Sequence, residues 1–378
     1  MSDRPAVPFF DAWTAGLRTT WGDELRAWRA IQERGVFLGG PEVAAFEAEW
    51  AAKVGAAHAV GVASGTAALT LALRAAGIHA RDRCPTPVLI PAFTCPATAA
   101  AVLAAGALPV LADVDPETGL LDPQAAQEAV EEFRSDQGDD VRAIIPVHLF
   151  GRRVPKEPFA ALAREHGLVV IEDAAQAHGL PGVGAYSDAA AYSFYPTKNL
   201  GARGDAGAVT TDHQRVADAC RHLRQYGMGP AWAYGNHGWG WCERMDEIHA
   251  ASLRIGMRRL EIANQARAQI AAEYRLRLPR TLDAGWDHTP SVHHLFPVRV
   301  RGGRRDAFRA ALRAAGVETG CHYPMELNAY PGMRWTPEFG CRNAAGWAHE
   351  VVSLPCYPGL RSGQVETVIA AATAAVYA

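Results

Sequence analysis

The segment AAAYSFYPTKNLGARGDAGAVTT, residues 189–211, decides the fold of this 378-residue chain. An apolar run over 189–194 predicts a buried strand, and a polar turn, a glycine-rich stretch and a second strand follow it. The turn carries Lys198, one of only three lysines among 37 basic residues. A primary amine condenses with an aldehyde and a guanidinium does not, so one interpretation of Lys198 is a Schiff-base lysine. The other is a strand-end lysine whose ammonium reaches water.

Apolar runs alternate with helical patterns in the part of the chain that precedes this segment. The runs are 57–63, 87–93, 107–115, 143–151 and 168–173. Such alternation predicts an α/β fold with a mostly parallel sheet that is covered by helices on both faces. Ligands bind at the carboxyl ends of the strands in such sheets, so we expect the chemistry at that edge.

The pattern changes near residue 246. A proline-free stretch over 246–276 predicts one long connecting helix. A strand over 293–300, a helix over 304–315 and short turns over 322–358 then predict a small α+β unit. We therefore expect a large domain over 1–245, which includes an N-terminal helix, and a smaller one over 246–378.

Composition excludes several classes of function. The formal net charge of −3 gives no basic field for nucleic acid or an acidic membrane. No apolar run approaches the roughly 20 residues of a membrane span, and the start has no export signal. The seven scattered cysteines indicate reduced thiols and a cytoplasmic location. The histidines lack the spacing of metal ligands, so no metal site is predicted.

Polar groups at other strand ends suggest what Lys198 serves. The Ser64-Gly65-Thr66 turn opens a helix and predicts either an anion site or a simple N-cap. Asp173 ends a buried strand and needs a partner, either a protonated ring nitrogen, an arginine or the following turn. Gln176 would hydrogen-bond a phenolic oxygen or lie exposed. An aldehyde, a phosphate and a ring nitrogen together describe pyridoxal phosphate.

The chain resembles the fold-type I, pyridoxal-phosphate-dependent sugar aminotransferases of the DegT/DnrJ/EryC1/StrS family. The matching segments, in the family's order, are FLGGPEVAAFE (37–47), VASGTAALTLAL (62–73), LIPAFT (89–94), ALPVLADVDPETGLLDP (107–123), AIIPVHLFG (143–151), VIEDAAQAHG (170–179), YSFYPTKNLGARGDAGAVTTD (192–212), GCHYP (320–324) and LPCYPGL (354–360).

The resemblance implies a large domain with a mostly parallel seven-stranded sheet and a small C-terminal α+β domain. It implies that Lys198 carries the internal aldimine, that Asp173 meets the pyridine nitrogen and that Gln176 lies near the 3-oxygen of the cofactor. The residues implied to surround the phosphate are Gly65, Thr66 and Ser193.

Two cofactor positions depart from the family's pattern. Cys95 stands where the family usually places an aromatic side chain on the ring. Cys242, two residues before Arg244, stands where the family has an Asn that reaches the phosphate of the neighbouring subunit. The resemblance thus implies a homodimer whose active site is shared across the interface.

By resemblance, the reaction moves an amino group from an amino acid such as L-glutamate to a keto group of a nucleotide-linked sugar, in amino-sugar or antibiotic biosynthesis. A keto-cyclitol or keto-nucleoside acceptor is an alternative, and a non-catalytic cofactor-binding relative is another. The candidate substrate contacts are His322, Tyr323 and Arg244, with the alternatives of a turn histidine and an ion pair of Arg244 with Glu243 or Asp246. The loop over 227–242, with Trp232, Trp239 and Trp241, predicts base stacking or a dimer contact.

Overall fold

The computed structural model describes residues 6–12, 15–16, 18–80, 84–133, 140–229, 239–285, 288–334 and 336–377. The α-helices within these ranges are α1 (Arg18–Arg34), α2 (Pro41–Val54), α3 (Gly65–Ala75), α4 (Pro96–Ala104), α5 (Pro123–Glu132), α6 (Lys156–His166), α7 (Gln214–Leu223), α8 (Glu247–Met257), α9 (Leu260–Arg277), α10 (Arg305–Ala314), α11 (Arg342–Glu350) and α12 (Ser362–Tyr377). The strands are β1 (His58–Val62), β2 (Thr86–Pro91), β3 (Ala107–Ala112), β4 (Ala143–Ile144), β5 (Val169–Asp173), β6 (Ala189–Ser193), β7 (Gly207–Thr211), β8 (Phe296–Arg299), β9 (Glu338–Phe339) and β10 (Val351–Leu354).

The main sheet has the strand order β1-β7-β6-β5-β4-β2-β3-β9. Its neighbours are parallel except β7, which runs antiparallel to both β1 and β6. The predicted mostly parallel sheet is therefore confirmed. The main sheet has eight strands: the large domain supplies the predicted seven, β1–β7, and the two-residue strand β9 from the C-terminal part pairs with the outer edge of β3.

Helices bury both faces of the sheet, as its apolar strands require. Strands β2 and β7 are buried along their whole length. Helix α3 lies under β6 and β7 and buries seven consecutive residues, 67–73, which is why its sequence is apolar all round. This packing holds the start of α3 beside the ends of the central strands.

The predicted helix over 246–276 is instead two helices, α8 and α9, and the single-helix prediction is wrong. The amide of Arg259 donates to the carbonyl of Gly256, three residues back, which tightens the last turn of α8 and redirects the chain. Glycine has a low helix propensity, and Gly256 packs its backbone against Leu200.

The C-terminal part also contains more regular structure than its sequence predicts. Strands β8 and β10 form an antiparallel pair, and α10 and α12 contact each other beside it. The predicted turns over 322–358 include α11 and β10. We propose that the second domain, over 246–378, begins at Asp246, the N-cap residue of α8, after the last strand of the large domain's own sequence.

A buried carboxylate at this boundary joins the start of α8 to the start of α2. Glu247, the first residue of α8, accepts hydrogen bonds from the amides of Gly40, Glu42 and Val43 at 2.9–3.0 Å. These amides open α2, whose own N-cap residue is Gly40 and supplies no side chain. Glu247 therefore acts as the N-cap of a helix that lies about two hundred residues earlier in the chain.

Within the described residues, no helix is both long and apolar enough to span a bilayer. All seven cysteines are free thiols.

Candidate active site

A closed turn after β6 presents Lys198. The amide of Lys198 donates to the Tyr195 carbonyl at 2.8 Å, and the amide of Ala202 donates to the Phe194 carbonyl at 2.7 Å. A Cβ at Gly201 would lie 2.5 Å from the Pro196 carbonyl oxygen, so the turn closes only around glycine. Lys198 is half-buried, and desolvation lowers the pKa of its amine, while the neighbouring Cys95 and Asp173 side chains partly offset the fall. A lowered pKa makes the neutral, nucleophilic form of the amine more available.

Asn199 anchors this turn to the C-terminal part. Its side-chain amide donates to Oδ1 of Asn264 at 2.8 Å and to the carbonyl of Val292 at 3.0 Å. Its own oxygen lies 3.1 Å from Nδ1 of His294. Lys198 is therefore held between the sheet and the segments that follow α8.

Asp173, the last residue of β5, is buried and receives two hydrogen bonds. The Thr98 hydroxyl donates to Oδ2 at 2.9 Å, and the Ala175 amide donates to Oδ1 at 3.1 Å. Desolvation raises the pKa of Asp173, while the two hydrogen bonds and the charge of Lys198 oppose the rise. The Asp173 carboxylate therefore caps the turn that follows β5, which is one of the alternatives that the sequence predicts for it. Within the described ranges, no arginine, lysine or histidine lies within ion-pair distance of it.

The start of α3 combines a cap with free donors. The Ser64 hydroxyl accepts from the Ala67 amide at 3.1 Å, so the predicted N-cap exists. The amides of Gly65 and Thr66 precede the first intrahelical bond and face the same helix end. A Cβ at Gly65 would lie 2.5 Å from Cβ of Ser193, the last residue of β6. The glycine thus allows the helix start to lie directly against that strand end.

Gln176 is buried and already bonded at both ends. Its oxygen accepts from the Phe150 amide at 2.6 Å, and its nitrogen donates to the Tyr323 hydroxyl at 3.2 Å. Burial raises the pKa of Tyr323 well above its usual range, and the adjacent Cys95 side chain adds to this effect. Cys95 therefore lies beside the Tyr323 hydroxyl, at the N-cap of α4. The predicted exposure of Gln176, one of two alternatives, is wrong.

His322 is held by side chains rather than by the backbone of a turn. Its Nδ1 lies 2.9 Å from the Ser353 hydroxyl, and its ring stacks on Phe9 with a centroid distance of 5.5 Å. Desolvation, with the charges of Lys198 and Arg309, lowers the pKa of His322 to about 4. The imidazole is therefore neutral at physiological pH.

Cys242 and Arg244 form a separate cluster with Tyr226. Arg244 donates to Sγ of Cys242 at 3.2 Å, and its guanidinium lies 6.0 Å from the Tyr226 ring centre. Within the described residues, Arg244 is not ion-paired with Glu243 or Asp246, so that alternative is wrong. Hydrogen bonds from Tyr226 and Arg244 lower the pKa of the exposed Cys242 thiol.

The tryptophan-rich loop lies partly within the described residues. Residues 230–238, with Trp232, lie outside the described residues. Trp239 is 77% exposed, whereas the Trp241 ring lies 5.3 Å from the Arg74 guanidinium. The stacking and dimer alternatives for this loop both stay predictions.

These residues fit pyridoxal phosphate. Lys198 offers a primary amine. Asp173 offers a buried carboxylate that has no cationic partner among the described residues. Helix α3 offers a helix start that the end of β6 approaches closely. Those three features match an aldehyde, a protonated ring nitrogen and a phosphate respectively. The individual contacts of Gly65, Thr66, Cys95, Gln176, Ser193 and Cys242 with the cofactor stay predictions.

Sequence patterns did not indicate two of the site's supporting residues. Thr98 lies inside the first turn of α4 and contacts Asp173 only after the strands assemble. Asn199 adjoins Lys198 in the sequence, and that position is the feature of the sequence that could have pointed to its supporting role.

A family model described as the DegT/DnrJ/EryC1/StrS aminotransferase family matches residues 20–373. A dTDP-3-amino-3,4,6-trideoxy-alpha-D-glucose transaminase of Streptomyces venezuelae is 38% identical over 97% of this chain and 96% of its own. A UDP-N-acetyl-3-dehydro-alpha-D-glucosamine 3-aminotransferase of Acidithiobacillus ferrooxidans is 37% identical over 97% of each chain. The S. venezuelae DesV structure, in complex with a ketimine intermediate, has a TM-score of 0.90, 38% identity and 99% coverage of both chains. Bacillus subtilis NtdA with bound PMP has a TM-score of 0.88 and 27% identity, over 100% of this chain and 86% of its own.

Proposed function

Because the chain belongs to the DegT/DnrJ/EryC1/StrS aminotransferase family, we propose that it transfers an amino group from L-glutamate to the keto group of a nucleotide-linked sugar. The predicted family, fold type I and pyridoxal-phosphate-dependent aminotransferase class are confirmed. The relatives named as dTDP- and UDP-sugar aminotransferases support this acceptor, in amino-sugar or antibiotic biosynthesis. The observation that carries the proposal is the convergence of Lys198, Asp173 and the start of α3 at one sheet edge.

Each of these side chains has a separate role in transamination. When bound, pyridoxal phosphate supplies an aldehyde for the amino group and a ring that accepts electrons. The Lys198 amine would hold that aldehyde and, when an amino donor has replaced it, would take the proton from the donor's α-carbon. The Asp173 carboxylate would keep a proton on the ring nitrogen. Amides at the start of α3 would hold the phosphate.

One lysine serves both the donor and the acceptor, so the reaction has two halves that share one site. Lys198 returns the proton in the second half, when the keto acceptor takes the amino group. We therefore expect ping-pong kinetics, with the keto acid leaving before the acceptor binds.

We further propose that the enzyme works as a cytoplasmic homodimer with a shared active site. Three consecutive apolar residues, Val36, Phe37 and Leu38, are exposed on this chain. They lie beside the start of α8, where Leu38 pairs with Asp246, and Cys242 lies four residues before that point. An apolar run beside candidate site residues is what an interface that shares the site would bury.

The experiment that tests the function is a pair of half-reactions. Purified enzyme with pyridoxal phosphate is mixed with L-glutamate, and the aminated form is then offered nucleotide-linked keto sugars, keto-cyclitols and keto-nucleosides. We expect Lys198→Arg, which keeps the charge but cannot condense, to lose the visible absorption of the linked cofactor and to abolish turnover. Lys156→Arg, at an exposed lysine of α6, serves as the control.

A Lys198→Arg variant that still completed both half-reactions would contradict the role of this lysine. Conversion of a cyclitol or nucleoside in preference to every nucleotide-linked sugar would contradict the proposed acceptor while leaving the aminotransferase class intact.

A further inference from the structure

Arg267, in the middle of α9, is a buried guanidinium without an acidic partner among the described residues. It is 3% exposed. Its Nη1 donates to the carbonyls of His294, at 3.3 Å, and Cys356, whereas its Nε is buried and has no hydrogen-bond partner in the described chain. Across the described ranges, no carboxylate lies within ion-pair distance of it. A buried charge is costly unless an opposite charge meets it, so this arrangement calls for an anion from outside the chain.

Arg267 faces the space beside Lys198. Two cavities, of about 300 and about 270 Å3, are lined by both residues. None of the described residues that line either cavity is Asp or Glu. The smaller cavity is also lined by His322 and His294, whose pKa values are lowered by burial first and then by nearby positive charge. The space beside the reactive amine is therefore electropositive.

We infer that Arg267 binds the α-carboxylate of the amino donor and thereby places the donor's α-carbon beside Lys198. Its Nε has no hydrogen-bond partner among the described residues, and the Nε and Nη2 donors of a planar guanidinium match the two oxygens of a carboxylate. This inference rests on the proposed function, because it takes the donor to be an amino acid. Arg267 thus determines donor specificity, and its bonds to the two carbonyls fix the direction of the guanidinium.

The size of the cavity favours the donor over the acceptor as its occupant. Arg267 lines one cavity of about 270 Å3 and one of about 300 Å3, both at the lower end of the range of roughly 300–1,000 Å3 that holds drug-sized ligands. An amino acid side chain and carboxylate suit such a space, whereas a nucleoside diphosphate joined to a sugar does not. The acceptor's diphosphate would then lie outside this cavity, and Arg267 would not meet it.

The test compares two amino donors that differ in the α-carboxylate. L-Glutamate carries it, and 4-aminobutyrate keeps the amine and the distal carboxylate but lacks it. We expect Arg267→Gln to reduce kcat/KM of the first half-reaction with L-glutamate by roughly tenfold to a hundredfold. The rate with 4-aminobutyrate should stay within about twofold of wild type. The kcat/KM of Arg267→Lys with L-glutamate should lie between the values of wild type and Arg267→Gln, because lysine keeps the charge but lacks the paired donors of the guanidinium.

Arg259→Gln is the matched control. This exposed arginine lines the larger cavity at the α8–α9 junction, so its removal changes the local charge equally without touching the buried guanidinium. It should leave both donors unaffected. Equal losses with both donors in Arg267→Gln would assign the residue a purely structural role and overturn the inference. The inference would also be overturned if Arg267→Gln had an unchanged rate with L-glutamate and a raised KM for the nucleotide-linked acceptor.

Binding without reaction separates this inference from the proposed function. 2-Oxoglutarate, which has an α-carboxylate but no amine, is titrated calorimetrically into the enzyme loaded with pyridoxal phosphate. We expect at least tenfold weaker binding in Arg267→Gln than in wild type and in Arg259→Gln. Arg267-dependent binding without any amino transfer would leave the carboxylate site standing and reject the proposed function. Binding that is absent from wild type, or equal in all three proteins, would overturn the carboxylate site.

Discussion

The hydroxyl of Thr98 donates a 2.9 Å hydrogen bond to Oδ2 of Asp173, from the first turn of α4 to the end of β5. Both side chains are buried, and the Thr98 oxygen also lies 3.3 Å from the hydroxyl of Thr94. A hydrogen bond to the ionised carboxylate favours that form, so Thr98 lowers a pKa that desolvation raises. Thr98 therefore helps to keep Asp173 charged and correctly oriented for a protonated ring nitrogen.

Replacing Thr98 by valine tests this support. Valine has the same shape but no donor, so the carboxylate loses one hydrogen bond and its pKa rises further. We expect the dissociation constant of pyridoxal phosphate to increase by about tenfold, measured by absorbance titration of the cofactor-free enzyme. Thr98→Ser keeps the hydroxyl and should bind as wild type does. Equal affinities for the valine and serine variants would show that the hydrogen bond is unimportant.

Asp173 should also make the stability of the cofactor-free enzyme depend on pH. Because its pKa is raised in the folded chain, ionisation of Asp173 costs stability. The cost is absent below the ordinary pKa of an aspartate and is complete once the pH exceeds the raised value.

We therefore expect Asp173→Asn to unfold at a higher temperature than wild type at pH 8, and the difference to shrink as the pH falls toward 4. The asparagine can accept from the Ala175 amide and donate to Thr98, whose hydroxyl can turn toward Thr94. Calorimetry of both cofactor-free proteins across this range measures the effect. With pyridoxal phosphate added, the order should reverse, since the variant lacks the charge that binds the ring. A difference independent of pH would contradict the assignment.

The strand ends that form this site could be predicted because each one is determined by a short, continuous stretch of sequence. The alternation of apolar runs and helices indicates the parallel sheet, and its carboxyl ends then bring Asp173, Ser64 and Lys198 to one edge. The scarcity of lysine singled out Lys198 before any resemblance was used. These inferences need only local periodicity and a general rule about sheets.

The residues that support the site depend on contacts between distant elements. Thr98 and Asn199 each have partners that lie far away in sequence. Arg267 looks like any other arginine of a helix until its burial and its lack of a carboxylate partner among the described residues are known. The break between α8 and α9 is equally invisible, because no proline marks it and only the packing of Gly256 on Leu200 gives a reason.

Gly65 should be irreplaceable even by alanine. A Cβ there would lie 2.5 Å from Cβ and 3.1 Å from Cα of Ser193, so the start of α3 would move away from β6. We expect Gly65→Ala to cost about 1–3 kcal/mol of stability and to weaken pyridoxal phosphate binding by at least about tenfold. Gly363→Ala is the control, since nothing lies near its Cβ at the start of α12 and it should stabilise by about 0.5–1 kcal/mol. Normal cofactor affinity in Gly65→Ala would contradict the predicted phosphate site.

Phe37 should contribute to the proposed homodimer. It is exposed in the middle of an apolar run, and a two-fold axis would bury it twice. Removing both Phe37 side chains from the interface would reduce the free energy of dimerisation by roughly 3 kcal/mol or more. We expect Phe37→Glu to weaken dimerisation by more than about a hundredfold in analytical ultracentrifugation. Leu276→Glu changes an equally apolar, exposed residue of α9 and should leave the assembly unchanged. A stable dimer of Phe37→Glu would place the interface elsewhere.

Glu172 precedes Asp173 in β5, and strand alternation points the two carboxylates to opposite faces. Glu172 is fully buried and accepts from the Gly184 amide at 2.8 Å and the Ser187 hydroxyl at 2.6 Å. Its other oxygen lies 2.7 Å from Nε2 of His148. Because the Val154 amide donates to Nδ1 of His148 at 3.2 Å, the imidazole carries its proton on Nε2 and donates it to Glu172.

Glu172→Gln should therefore separate stability from cofactor binding. The new amide nitrogen would face either the Nε2 proton of His148 or, with the amide turned over, the Gly184 amide. The histidine cannot move its proton to Nδ1 without facing the Val154 amide. One buried donor then stays unpaired, which costs about 1–3 kcal/mol. We expect thermal unfolding at a lower temperature, with an unchanged dissociation constant for pyridoxal phosphate, whereas Glu165→Gln, on the surface of α6, should change neither. Weaker cofactor binding in Glu172→Gln, at a temperature where it is fully folded, would mean that the two faces of β5 are coupled and that the His148 pair also orients Asp173.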